Sequence, residues 1–282
     1  MSKILDGKTV SASVKEAVRT QVKELSKDGI SVGLAVILVG GNPASKIYVA
    51  NKKKACEETG IKAFEYTLDE NVSQSELLSL IETLNAKKEV NGILCQLPLP
   101  PHIDERAVIA AISPEKDVDA FNVSNVGKIV IGNYDFLPCT PAGIIEILDY
   151  YGIEIEGKNC VVIGRSNIVG KPMALLLMHR NGTVTICHSK TENLASVTSG
   201  ADILVSAVGK AGFVTADMVK PGAVVIDVGM NRAEGKLCGD VCFDEVSKIA
   251  GYITPVPGGV GPMTVSVLLK NTVTAAKRQN GR

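Results

Sequence analysis

A chain of 282 residues that is 45% hydrophobic and 21% charged carries enough apolar material for one large core or two modest ones, and its composition is not that of a disordered or fibrous protein. Basic and acidic side chains balance at 30 each, so no basic surplus draws the chain to nucleic acid or to a membrane, and small-molecule chemistry is the expectation. The cysteines at 56, 95, 139, 160, 187, 238 and 242 are odd in number and hold no C-x-x-C pair, which argues against a disulfide framework or a metal site and for a reducing compartment. Residues 1–10 lack the apolar region of a secretion signal, and no stretch reaches the roughly 18 uninterrupted apolar residues of a membrane span, so a cytoplasmic or organelle-matrix protein is expected.

Apolar β-rich runs alternate with helical spacing along nearly the whole chain, the pattern of α/β architecture with parallel sheets. Strands are predicted over 34–39, 63–67 and 92–96, with helices over 44–59 and 75–85 between them. The turn-rich Gly132, Asn133 and Pro138 mark a divide, and Thr140-Pro141 opens a helix running to about 151. A second series of strands is predicted over 160–163, 184–187, 203–207, 224–228 and 252–254. After Pro262 a closing helix over 264–278 is expected to pack back on the first domain.

In the first series, Tyr48 and Lys52 stand four apart on one helix face, so a ring and an amine project together. Three adjacent lysines, Lys52 to Lys54, also fit a solvated face; like-charge neighbours and burial would instead favour a neutral amine, and only one of the three needs to point inward. Gln96 ends its strand before Leu97-Pro98, where strands meet ligands, and offers a neutral amide partner for Lys52 or an ordinary satisfied strand end. Asp117 and Asp119 face the same way if extended, and either could accept two parallel hydrogen bonds from a flat amidine-like group, unless both are solvated loop acids.

In the second series, Cys160 to Pro172 reads as buried strand, glycine-bearing turn and helix start. The turn, G-x-S-x-x-x-G from Gly164, departs from the three-glycine dinucleotide fingerprint by a serine at the middle position and a displaced last glycine; a plain strand-to-helix connection is the alternative. About 24 residues beyond Gly164, where an NAD enzyme places an acid for the ribose 2′-hydroxyl, stand His188, Ser189 and Lys190. Donors there, with Arg165 beside the turn, predict NADP over NAD. Ser206 to Gly209 and Asp227 to Asn231 put small residues at further strand ends, and the three prolines and three glycines between Ile253 and Thr264 suit a backbone wall against a planar ligand or a mere linker.

These segments together resemble the methylenetetrahydrofolate dehydrogenase/cyclohydrolase family: Y-V-A-N-K-K-K-A from Tyr48, G-I-L-C-Q-L-P-L-P from Gly92, K-D-V-D from Lys116, P-C-T-P-A-G from Pro138, G-R-S-N-I-V-G-K-P from Gly164, C-H-S from Cys187, D-V-G-M-N from Asp227 and T-P-V-P-G-G-V-G-P-M-T from Thr254. The resemblance covers essentially the whole chain, in order. It implies an N-terminal α/β catalytic domain (1–139 with 263–282), a Rossmann-like NADP-binding domain (140–262), a cleft between them for tetrahydrofolate derivatives, and a homodimer formed through the cofactor domains. The implied activity is oxidation of 5,10-methylenetetrahydrofolate with NADP and hydrolysis of the methenyl product to 10-formyltetrahydrofolate, as used in one-carbon metabolism and purine biosynthesis. Carried over by position, Tyr48 packs on the folate, Lys52 is the catalytic lysine, Gln96 positions it and Asp119 holds the pterin. Gly164, Arg165, Ser166, Ser189, Met230 and Gly261 contact NADP, while Leu97, Pro257, Gly258 and Gly259 line the folate and nicotinamide region. One departure is Ala120, where the family pattern usually has Gly. Two rivals are a shikimate-type NADP dehydrogenase and a non-catalytic NADP or folate sensor.

Overall fold

The computed structural model describes residues 2–233 and 235–282. The chain opens with a two-residue strand, β1 (Lys3–Ile4), and a long helix, α1 (Gly7–Lys27). Then follow β2 (Gly33–Val39), α2 (Pro43–Thr59), β3 (Lys62–Leu68), α3 (Gln74–Ala86) and β4 (Gly92–Cys95). These strands form a parallel sheet in the order β3-β2-β4. Every residue of β2 is buried, as a central parallel strand with both faces covered requires. Leu77, Ile81 and Leu84 of α3 join Ala35, Ile37 and Ile93 in its core, each large side chain contributing about 1.5–3 kcal/mol on burial. A capping box starts α3: Glu76 N donates to Ser73 Oγ, and Ser73 N donates to Glu76 Oε2. Two shorter helices come next, α4 (Glu105–Ala111), capped by Asp104, and α5 (Val123–Val130), capped by Asn122.

The second half contains α6 (Cys139–Tyr150), β5 (Asn159–Ile163), α7 (Gly170–His179), β6 (Thr183–Cys187), α8 (Leu194–Thr198), β7 (Ile203–Ser206) and β8 (Val224–Asp227). A hairpin of β9 (Asn231–Ala233) and β10 (Lys236–Cys238), the short α9 (Phe243–Val246), β11 (Tyr252–Ile253) and α10 (Val260–Gln279) complete it. The large sheet has the order β1-β11-β8-β7-β5-β6, and all its pairings are parallel. From β5 the chain goes to β6 on one side and then crosses to β7 on the other, which makes the β5/β7 boundary the topological switch point. In the smaller sheet the same reversal falls between β2 and β4.

All the predicted strands are present within one residue of their expected ends; the central ones read as apolar runs because both their faces are buried, while the edge strands β3 and β6 carry polar residues among their β-formers. The closing helix begins at Val260 rather than 264, since Pro262 lies in its first turn, where backbone N–H groups have no partner to lose. Two compact units emerge, Met1–Ser11 with Pro138–Thr264 and Ala12–Leu137 with Val265–Arg282. The first eleven residues therefore group with the larger sheet and not, as expected, with the N-terminal unit: β1 pairs with β11, Lys3 opposite Tyr252 and Ile4 opposite Ile253. Residues 265–282 do group with the first half, where Asn271 Nδ2 donates to the carbonyls of Val118 (2.8 Å) and Leu137 (2.9 Å). Among the described residues no helix is long and apolar enough to cross a membrane.

Candidate active site

In the unit built on the small sheet, Lys52 of α2 is 7% exposed, and its Nζ donates to Gln96 Oε1 at 2.7 Å. Gln96 follows β4 at the carboxyl end of the sheet. Its N–H donates to Ile37 O (2.9 Å) and its Nε2 to Leu97 O (2.7 Å), which turns the side-chain oxygen toward the lysine. Lys53 and Lys54 are exposed, and Lys53 pairs with Glu65 at 3.4 Å, so the helix phase selects one lysine of the triplet. Tyr48, one turn earlier, is half-buried, and desolvation raises its hydroxyl pKa. Burial pushes the thiols of Cys56 and Cys95 up to about 12, so both stay neutral.

The two aspartates separate. The segment turns instead of extending, with Ala120 N donating to Asp117 O (3.0 Å), so they do not face the same way. Asp117 is buried and its Oδ2 accepts from Asn122 N and Asn125 Nδ2, both at 2.8 Å; burial pushes its carboxyl up to about 6. It is a structural tie. Asp119 is half-buried and lines, with Asp117, Cys95, Leu97, Ile109 and Phe121, a small depression beside β4. Ala120 is fully buried with φ +58°, a left-handed conformation costing an L residue roughly 1 kcal/mol, which explains why glycine suits this position. A larger cavity of about 670 Å³ elsewhere in the unit, lined by Lys128, Asp135, Arg278 and Arg282, contains none of the predicted site residues.

In the other unit, strand register aligns four loop starts. Ile163 pairs with both Cys187 and Ser206, and Ser206 pairs with Asp227, so the loops after β6, β5, β7 and β8 leave the sheet at one level. Gly164 has φ +132°, and a Cβ there would lie 2.5 Å from Ala207 O; one at Gly170 would lie 2.3 Å from Gly164 O. Both glycines are therefore required by close backbone approach. Ser166 replaces the fingerprint's middle glycine for a reason visible here: its Oγ accepts from Val169 N and Gly170 N, each at 3.2 Å, capping the start of α7. Arg165, Ser189 and Lys190 are exposed, and Lys190 N donates to His188 Nδ1 (3.2 Å). Met230 is 46% exposed, and a Cβ on Gly261 would meet its Cε at 3.2 Å, which makes the two neighbours. Pro257 is exposed while Gly258 and Gly259 are buried, and Gly259 N donates to Pro255 O at 2.8 Å. Leu97-Pro98 and Val256-Pro257 are cis peptides. Sequence reasoning marks Asp227 only as the start of a strand end and misses Asp240, two buried carboxylates at the same sheet edge; the Gly239-Asp240 pair was the available signal for the second.

A six-stranded parallel sheet with a glycine turn at its switch point, together with a second α/β unit carrying a buried lysine-amide pair, defines a two-unit enzyme of the dinucleotide-dependent kind. Comparison with known proteins makes this specific. The profile for the tetrahydrofolate dehydrogenase/cyclohydrolase catalytic domain matches residues 5–119, and that for the NAD(P)-binding domain of the same family matches residues 138–280. The bifunctional protein FolD of Acetivibrio thermocellus is 60% identical over 279 residues, covering 99% of this chain and 98% of that protein. The crystal structure of the bifunctional enzyme FolD, a methylenetetrahydrofolate dehydrogenase/cyclohydrolase from Campylobacter jejuni, superposes with a TM-score of 0.97 at 52% identity, covering 99% of both chains. The Trypanosoma brucei methylenetetrahydrofolate dehydrogenase-cyclohydrolase, solved with NADP cofactor and inhibitor, has a TM-score of 0.95 at 41% identity, covering 100% of this chain and 99% of that one. The chain belongs to the tetrahydrofolate dehydrogenase/cyclohydrolase family, and with that membership it is a bifunctional dehydrogenase and cyclohydrolase.

Proposed function

We propose that Tyr48, Lys52, Gln96 and Asp119 handle the folate in this bifunctional enzyme, and that Gly164, Arg165, Ser166, Ser189, Met230 and Gly261 hold NADP. The observation that carries the reading is the 2.7 Å contact from Lys52 Nζ to Gln96 Oε1 on a lysine only 7% exposed. An isolated buried ammonium is costly, and a neutral amide gives it a partner without fixing its charge as a carboxylate would.

NADP supplies the nicotinamide that accepts hydride from the methylene carbon of 5,10-methylenetetrahydrofolate. Everything else falls to the chain's own groups. Asp119 accepts paired N–H bonds from the amidine edge of the pterin, and the Tyr48 ring packs against the folate ring system. Leu97 and the Pro257, Gly258 and Gly259 backbone border the reacting ends. When water adds to the methenyl carbon, Lys52 moves the proton that lets the ring open to 10-formyltetrahydrofolate. The tight Gly164 turn fits a pyrophosphate at close approach, and Arg165 with Ser189 fits a 2′-phosphate, which favours NADP over NAD. On this reading the 12–137 and 265–282 unit takes the folate, the other takes the dinucleotide, and the protein works as a cytoplasmic homodimer without nucleic acid or membrane.

The test is Lys52→Met, which keeps the length of the side chain and removes the amine. Cyclohydrolase turnover is expected to fall about 10²- to 10⁴-fold, the worth of a positioned acid–base group, with the melting temperature little changed. Normal hydrolysis of the methenyl substrate by this variant would remove Lys52 from the mechanism.

A further inference from the structure

Asp240 is fully buried, and among the described residues its carboxylate accepts from backbone and amide N–H groups and one hydroxyl. Its Oδ2 accepts from Val208 N (2.8 Å), Gly209 N (3.2 Å) and Ser206 Oγ (3.3 Å). Its Oδ1 accepts from Lys210 N (3.0 Å) and Asn231 Nδ2 (2.9 Å). Three consecutive loop amides thus converge on one anion, an arrangement that in an open loop would attract a ligand's negative charge. Here the protein's own carboxylate occupies it.

Asp227 fixes Asp240 in turn. Its Oδ1 accepts from Asp240 N and Gly229 N, and its Oδ2 from Val241 N, all at 2.9 Å. The contacts leave no slack. A Cβ on Gly229 would lie 2.2 Å from Asp240 Oδ1, and one on Gly239 would lie 1.8 Å from Asp227 Oδ2. Side chains at 227 and 240 therefore tie the loop after β7 to the loop after β8, one strand and two strands from Gly164, at the carboxyl edge where open α/β sheets bind ligands. Two carboxylates buried side by side repel each other and lose hydration, a cost that the N–H groups converging on them offset.

We infer that Asp240 is a positioning residue for the dinucleotide: it occupies the amide nest at the end of β7 and sets the Ala207–Lys210 and Gly229–Asn231 loops in their binding shape before the cofactor arrives. The inference rests on the NADP reading above. Pre-set loops leave less ordering to be done on binding, so the effect falls on cofactor affinity.

Asp240→Asn tests it, being of the same shape but turning an NH2 toward N–H donors whichever way the amide flips. Steady-state KM and kcat with NADP, cyclohydrolase turnover without NADP, and amide hydrogen exchange at 208–210 are measured in wild type and variant. The expected result is a KM for NADP raised about tenfold, the equivalent of one charge-assisted hydrogen bond, with faster exchange at those amides in the unliganded protein. The KM for methylenetetrahydrofolate and the cyclohydrolase rate should stay within about twofold, because a loop defect confined to cofactor affinity leaves the other binding steps alone. Unaltered KM for NADP, or unaltered exchange, overturns the inference. Should Asp240→Asn lose its near-UV circular dichroism, Ser206→Ala removes a single donor from the same carboxylate and is expected to raise KM for NADP about threefold; no change there overturns the inference equally. A wild-type chain that fails to bind NADP refutes the functional reading itself, whereas binding by wild type and variant alike refutes only the role of Asp240.

Discussion

Gln96→Glu exchanges a neutral acceptor for a charged one of the same shape, 2.7 Å from Lys52 Nζ. Unit charges about 4 Å apart at an effective dielectric of about 20 attract by about 4 kcal/mol. Gln96 is half-buried, so water screening and the desolvation of the new carboxylate reduce this to about 1.5–3 kcal/mol net. That energy favours the ammonium over the amine, and at about 1.4 kcal/mol per factor of ten it makes the proton-moving amine scarcer by about ten- to a hundredfold. The carboxylate also lacks the N–H that Gln96 gives to Leu97 O, a stability loss of about 1 kcal/mol that leaves the unit folded. The assay follows the methenyl chromophore's decay across pH, with NADPH formation measured in parallel. Cyclohydrolase activity should drop at neutral pH and recover as pH rises, because base restores the amine; hydride transfer, which needs no proton from Lys52, should suffer less. A variant with a full cyclohydrolase rate at neutral pH and an unmoved pH profile would refute the neutral-amine role.

Three more outcomes follow from the geometry. Ser189→Asp sets a carboxylate at the exposed loop after β6 and should raise KM for NADP about ten- to a hundredfold while leaving KM for NAD nearly alone; equal losses with both dinucleotides would sink the 2′-phosphate assignment. Gly164→Ala puts a Cβ 2.5 Å from Ala207 O at φ +132°, and should cost about 2 kcal/mol or more in chemical denaturation together with most NADP binding; a fully stable, NADP-binding variant would contradict the turn geometry. Asp117, held up at about 6 by burial against 3.8 ordinarily, binds its proton more tightly folded than unfolded. Its contribution is therefore present in full below the lower value and is lost as pH rises through the upper one. Urea titrations at pH about 4 and about 7 should show wild type losing roughly 2 kcal/mol relative to Asp117→Asn across that window, and a constant difference between the two proteins would be inconsistent with a titrating buried carboxyl.

Legibility from sequence followed burial on both faces. β2 is apolar throughout, and β5, β7 and β8 are apolar but for one polar residue at an end, so no alternation is needed to find them. The helices α1, α4 and α5 escape sequence reading, and the strands that escape it are those whose pattern is set by a distant partner or by a turn. β1 is two exposed residues that become a strand only by pairing with β11, and β9 and β10 are three-residue strands, mostly exposed, without an apolar period. The site shows the same division. Tyr48 and Lys52 share a face by helical spacing alone, but which lysine of three turns inward depends on the phase of α2 against β2 and β4. The spacing of Asp117 and Asp119 says nothing of the turn between them; it is the parallel bridge from Asp117 to Ile93 and the left-handed Ala120 that bury one acid and leave the other half-open. Asp240 takes its backbone donors, Val208 to Lys210, from 30 or more residues earlier, a convergence no local pattern encodes.

Both units solve one problem in the same way. The central strands of a parallel sheet covered on both faces have little room for polar side chains, so reactive groups collect where those strands end, and the widest such gap is at the switch point. In the small sheet that edge holds Gln96 with Lys52 reaching it from α2; in the large one it holds the Gly164 turn, with Asp227 and Asp240 bracing its neighbours. The charge placement also fits the chemistry. A methenyl carbon is cationic, so carboxylates close to it would stabilise the ground state and slow attack by water; on the proposed site the neutral Gln96 amide, with the Cys56 and Cys95 thiols kept protonated by burial, leaves proton exchange to Lys52. On the proposed dinucleotide side, where the reaction needs alignment more than proton transfer, Asp227 and Asp240 are taken up mainly by backbone N–H groups, which fits a part played through loop shape.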